Sequence, residues 1–206
     1  MINALSNRSA YPCLDQNIYL NQASLGLLSN ETVNEMTEFL STVARYGNLK
    51  MTDREEANFL SPLRGKVARL LQAKQENIAL VSSASEILSQ IPELCKPRIG
   101  SKILLVSTDF PAITRPWLLK AKTSDFEVCF IHEVPEIDLT NAIIEKVDSN
   151  TSVVCLSYVQ FASGTQVNVE KLSQYTKEVG AKLVIDVTQA AGAVPISIND
   201  WAVDIL

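Results

Sequence analysis

From residue 78 onward the chain alternates between short apolar runs and longer stretches in which apolar residues recur every three or four positions. The short runs are Ile78-Ala79-Leu80-Val81, Lys102 to Val106, Glu127 to Ile131, Val153 to Ser157, Lys182 to Ile185 and Val203-Asp204-Ile205-Leu206, and each reads as a strand. Between them the periodicity predicts helices through about Cys95 with a bend near Pro92, around Arg115 to Lys122, over Leu139 to Val147, and over Val169 to Val179, the last stopped by Gly180. Repeated strand–helix units of this length imply an α/β fold: a doubly wound, mainly parallel sheet with flanking helices.

The stretch ahead of the first run is different. Ile18-Tyr19-Leu20 is a short apolar entry into the polar loop Asn21-Gln22-Ala23-Ser24-Leu25-Gly26. A helix capped by Ser29 or Asn30 follows, with Val33, Met36, Phe39, Leu40 and Val43 on one face and Gly47-Asn48 at its end. Thr52 and Glu55 form a capping box for a second helix striped by Ala57, Leu60, Leu63, Val67, Leu70 and Leu71, with Pro62 placed to kink or restart it. Residues 1–75 are therefore read as a lead-in and 76–206 as the sheet region, together one domain. The last run ends at Leu206 with nothing after it, an odd place for a terminus, so the chain reads as truncated.

Composition narrows the classes. The 206 residues are 47% hydrophobic and 20% charged with a formal net charge of −5, which suits a globular chain with a substantial core and offers no basic stripe for nucleic acid. No apolar run approaches the roughly 20 residues a membrane helix needs. The stretch from Met1 to Arg8 lacks the layout of a secretory signal, so a cytoplasmic protein is expected. Cys13, Cys95, Cys129 and Cys155 are dispersed and read as core filler, and the one histidine, His132, leaves a zinc site or a histidine-based triad nothing to build on.

Four loops carry candidate chemistry, each with a plainer reading beside it. Ser82-Ser83-Ala84-Ser85-Glu86 follows the first run and opens a helix, a place where backbone N–H groups bind phosphate; it is equally a capping box of Ser83 with Glu86. Phe110, after the second run, is a plate for a flat ligand or simply core. Gln160, after the fourth, is an amide donor and acceptor or simply solvated. Asp186 ends the buried run Leu183-Val184-Ile185, with Gln189 three residues on; it is a site carboxylate, or a helix cap or turn residue. All four loops follow strands and open on one edge of the sheet. Together they suit a flat, phosphorylated heterocycle with a basic ring nitrogen.

On these segments the sequence resembles the class V aminotransferase family, pyridoxal-phosphate enzymes of fold type I that include cysteine desulfurases and isopenicillin-epimerase-like proteins. Tyr19-Leu20-Asn21-Gln22-Ala23-Ser24 resembles the family's entry strand and substrate loop, and Ser82-Ser83-Ala84-Ser85-Glu86 its phosphate loop. Asp109-Phe110-Pro111 with Pro116-Trp117, Val159-Gln160-Phe161-Ala162-Ser163-Gly164, and Leu183 to Ala193 with Val203-Asp204-Ile205-Leu206 are similar to three further segments in the same order. The resemblance implies that Asp186 pairs with the protonated pyridine nitrogen of pyridoxal 5'-phosphate and that Ala84 and Ser85 hold its phosphate. It implies that Phe110 stacks on the ring, that Gln160 and Gln189 reach the ring hydroxyl, and that Asn21 faces an amino-acid substrate. It further implies a transaminase, desulfurase or lyase, or epimerase working as a homodimer. Two departures accompany it. Ser83 stands where glycine is frequent, and the Schiff-base lysine is expected beyond Leu206, so this chain is expected to hold the cofactor non-covalently at best and to be inactive alone. The alternative is a non-catalytic fragment or subunit that binds the cofactor or a partner.

Overall fold

The computed structural model describes residues 7–206. The leading stretch read above as lacking a secretory layout falls largely outside them, at residues 1–6. Two compact units divide at Pro62 and Leu63.

The first unit holds α1 (Asn30–Tyr46) and α2 (Asp53–Asn58). Ser29 caps α1 by accepting the Thr32 N–H, and Gly47, at φ +56°, ends it. Both arms of the Thr52–Glu55 capping box are present at α2. The expected second helix does restart near Pro62, as α3 (Ser61–Leu70), which runs across the division. The apolar face predicted for α1 forms, yet Val33, Met36, Phe39, Leu40 and Val43 are each between 43% and 64% exposed. Phe39 meets Phe59 of the same unit at 5.5 Å between ring centroids.

The second unit is built on four parallel strands, β1 (Ser101–Val106), β2 (Phe126–Ile131), β3 (Thr151–Ser157) and β4 (Lys182–Asp186), in the order β2-β1-β3-β4. Before them lies α4 (Ala84–Cys95), and α5 (Pro111–Ala121), α6 (Leu139–Ile144) and α7 (Val169–Glu178) connect them in turn; α8 (Ile198–Trp201) comes last. Strand side chains alternate between two apolar layers, as the pleat requires. Ile103, Leu105, Val153, Cys155 and Val184 pack with Leu88, Ile91, Ile113 and Trp117 of α4 and α5. Leu104, Val106, Val154, Leu156, Leu183 and Ile185 pack with Leu139, Ile143, Val169 and Leu172 of α6 and α7. Helices on both faces explain why β3 is buried throughout and why the central runs are continuously apolar. The sheet is doubly wound: β1 leads outward to β2, and β3 leads the other way to β4. The direction of winding therefore reverses between β1 and β3, where open α/β sheets place ligands beyond their carboxyl ends.

Two expected strands are corrected. Residues 78–81 form no ladder, and Val81 is 45% exposed; a strand needs a neighbour for its N–H and C=O groups, and none lies alongside among the described residues. Residues 203–206 make one parallel bridge, Ile205 with Val184, in place of a full strand. Beside it the Asp204 carboxylate accepts the Leu183 N–H at 2.9 Å, taking a bond that a ladder carbonyl would otherwise hold. Among the described residues no helix is long and apolar enough to cross a membrane.

All four cysteines are free, and Cys95 and Cys155 are buried. Burial pushes the Cys95 thiol up to about 11 from its ordinary 9.0, and pushes the Cys155 thiol up as well. At pH 8 a thiol-specific disulfide reagent should label Cys13 and Cys129 in the native chain and reach Cys95 and Cys155 only after denaturation, as peptide mapping would show. Rapid native labelling of Cys155 would contradict this packing. Since the unfolded Cys95 thiol ionises first, its contribution to stability is intact below pH 9 and is lost as pH climbs toward 11.

Candidate functional site

At the reversal between β1 and β3 a buried carboxylate ties the two strand ends together. Asp109, three residues past β1 and 5% exposed, accepts the Ser157 N–H and the Ser157 hydroxyl, both at 2.7 Å. It also accepts its neighbour's N–H, that of Phe110, at 2.7 Å and the Gln160 side-chain amide at 3.2 Å. Four donors on two carboxylate oxygens make this a fully used acceptor, the condition for burying such a group. Ser157 is in turn the register partner of Asp186 across β3 and β4.

Asp186 closes β4 half-buried. Its backbone carbonyl accepts the Tyr158 N–H at 2.8 Å, and its side chain accepts the Thr188 N–H at 2.6 Å. That turn is held by Ala190 and Ala191 N–H groups, both donating to the Val187 carbonyl at 2.8 Å. Asp186 lines a cleft of about 300 Å³ together with Val187, Thr188 and Ala191 of that turn, and its other walls are largely apolar, Ala84, Ile87, Leu88 and Ile91 among them. A carboxylate facing apolar walls favours a cationic partner that can donate to it.

The Ala84 wall is the start of α4. Ser83 caps that helix by accepting the Glu86 N–H at 3.2 Å, while the Glu86 carboxylate reaches past it to the Ser82 N–H at 2.9 Å. The Ser82 hydroxyl and N–H hold Glu86 below the usual carboxylate range. The plainer reading of this loop is thus realised, one residue displaced from a strict box. It does not use up the helix start: the N–H groups of Ala84 and Ser85 have no carbonyl of their own helix to bond, and both residues are exposed. Ser85 and Phe110 line a neighbouring groove of about 940 Å³ between α4 and α5. Phe110 is 48% exposed there and meets Phe161 edge to face at 5.3 Å.

The structure therefore joins Ala84 with Asp186 around one cleft, Ser85 with Phe110 around the next, and Phe110 with Gln160 through Asp109. Gln160 itself is 1% exposed. Its amide nitrogen donates to Asp109 and to the Ser157 carbonyl, both at 3.2 Å, and its Oε1 has no partner among the described residues. Gln189 sits half-buried in the turn after Asp186, and Asn21 is an exposed residue of the first unit. His132 is exposed, its Nδ1 3.0 Å from the Ser107 hydroxyl. No group of three or more acidic, cysteine or histidine side chains that could hold a metal occurs among the described residues. Sequence reasoning missed Asp109, Ser157 and Phe161. An aspartate just past one buried run and a serine closing another are visible in the sequence, but nothing local says that they meet.

The family model described as Aminotransferase class-V matches residues 18–206. An uncharacterized aminotransferase, YcbU of Bacillus subtilis, is 22% identical over 199 residues, spanning 97% of this chain and 52% of the relative. A probable cysteine desulfurase of Methanothermobacter thermautotrophicus is 24% identical over 204 residues, 96% of this chain and 50% of the relative. Among solved structures, a lysine-to-alanine mutant of C-DES with glycine covalently linked to its PLP cofactor superposes with a TM-score of 0.84 at 16% identity, covering 97% of this chain and 54% of that one. The chain spans about half the length of the curated relatives it matches.

The cap at α4 gives a direct check on the loop. Ser83→Ala should lower the unfolding free energy by about 1 kcal/mol in a denaturant titration, with the slope unchanged. No loss of stability would mean the cap does not hold the helix start.

Proposed function

Since the chain belongs to the class V aminotransferase family, we propose that it forms the cofactor-holding half of a pyridoxal-phosphate enzyme acting on an amino acid. The observation that carries this reading is the Asp186 carboxylate, half-buried at the end of β4, facing an apolar cleft that the open start of α4 also lines. The donor set fits the group: an acceptor for a protonated ring nitrogen, unpaired N–H groups with serine hydroxyls for a phosphate, and a half-exposed aromatic face for a flat ring.

In this reading Asp186 holds a proton on the ring nitrogen by charge pairing, because an opposite charge at contact favours the charged form of each partner. Ala84 and Ser85 bind the phosphate through their N–H groups and the Ser85 hydroxyl, with the dipole of α4 adding to the attraction. Phe110 would offer its half-exposed face to the ring and keep water from it, and Gln189 would serve the ring hydroxyl. Gln160, being buried, acts from behind, by holding Asp109 and the end of β3. Asn21 is assigned to the substrate. When bound, the cofactor supplies an electron sink for negative charge at the substrate α-carbon, the chemistry shared by transamination, β-lyase or desulfurase reactions and epimerisation.

No lysine is among the residues lining the Asp186 cleft. We assign the Schiff-base lysine to polypeptide beyond Leu206, and the homodimer to the whole protein. The same observation favours a second reading, a subunit that binds the cofactor or a partner without turnover.

Mixing the chain with pyridoxal phosphate should shift the cofactor's absorbance, and borohydride should fix no single lysine. Asp186→Ala should weaken binding by at least tenfold, about 1.4 kcal/mol. Equal affinity of the variant would remove the ring-nitrogen pairing, and a reducible adduct at one specific lysine would overturn the location of the covalent anchor.

A further inference from the structure

We propose that Asp109 is a positioning residue that fixes the ring plate, Phe110, relative to the strand end that carries Asp186. The inference rests on the cofactor reading above and adds to it a residue that never touches the ligand.

Asp109 lines neither of the two clefts and is 5% exposed, so any effect on a ligand passes through its partners. Those partners are the parts that must keep a set spacing. One oxygen takes the Phe110 N–H at 2.7 Å, which fixes the plate's backbone where α5 begins. The other takes the Ser157 N–H at 2.7 Å, on the residue paired in register with Asp186. Neighbouring strands lie about 4.8 Å apart, so plate and carboxylate are joined by one side chain and one ladder step. Only a group that accepts everywhere matches this environment, since the Phe110 and Ser157 N–H groups and the Gln160 amide all donate. The Gln160 amide cannot turn over to compensate, because its nitrogen already faces two acceptors, Asp109 and the Ser157 carbonyl. Pro111 follows Phe110 and stiffens the step into α5.

Asp109→Asn keeps the shape but aims an N–H₂ at groups that also donate. A purely structural Asp109 would make this variant less stable and leave cofactor binding intact wherever the variant is folded. A positioning Asp109 predicts something else. At a temperature where far-UV ellipticity shows the variant fully folded, its affinity for pyridoxal phosphate should fall at least tenfold, and the induced ellipticity of the bound cofactor should change. Both effects should shrink to threefold or less when Phe110 is already alanine, because the plate through which Asp109 acts is gone. Ser157→Ala removes one hydroxyl donor and is the milder variant if Asp109→Asn does not fold. It should weaken binding by about threefold, again only while Phe110 is present. Undiminished binding by these folded variants, or a full loss that persists in the Phe110→Ala background, would overturn the proposal. If the unmodified chain does not bind pyridoxal phosphate, the cofactor reading falls and this inference with it. If it binds and is indifferent to Asp109, this inference alone falls.

Discussion

One buried carboxylate sets the terms for the sheet's working edge. Parallel strands that wind in opposite directions leave a gap between their carboxyl ends, and here that gap is spanned by Asp109 with its bonds to Ser157, Phe110 and Gln160. A charge in such a place is tolerable only when fully bonded, and removing one member leaves the rest uncompensated. The arrangement of Phe110, Ser157 and, one strand further on, Asp186 follows from that single requirement. The two apolar layers hold the strands parallel; the carboxylate decides how their ends meet.

The cleft beside Asp186 shows the division of labour between the core and the site. Ile87, Leu88 and Ile91 of α4 belong to the packing of one face of the sheet, yet the same side chains wall the carboxylate in. Asp186 is itself half-buried, so its carboxylate sits where the apolar side chains of the core meet solvent. The helix that supplies the walls also reaches the cleft with its first residue, Ala84.

Much of this was legible in the sequence, for reasons that differ by element. The runs around 102–106, 153–157 and 182–185 stood out because burial on both faces forces continuous apolar stretches, whereas 127–131, the edge strand with Glu127 and Phe130 exposed, stood out by its apolar residues alone. The run at 78–81 has the same appearance and is no strand, because a ladder is a property of two segments and its composition names only one. The stripe on α1 correctly gave a helix, while its exposure shows that a stripe does not say what covers it. Asp186 was legible by position, as a charge ending a buried run. Gln160 was legible as polar but not as buried, and Asp109 not at all as a link, since the bond that defines it joins residues 48 positions apart.

That separation has a consequence for how the chain is made. As polypeptide emerges from N- to C-terminus, β1 and β2 can pair while β3 is still to come, and Asp109 then has no Ser157 to bind. Until those further residues arrive its carboxylate must stay in water, which keeps the Phe110 turn loose and delays sealing of that end of the core. Arrival of β3 supplies the missing N–H and hydroxyl together. The edge between β1 and β3 therefore closes only when β3 arrives, and Asp186 joins it later still, with β4.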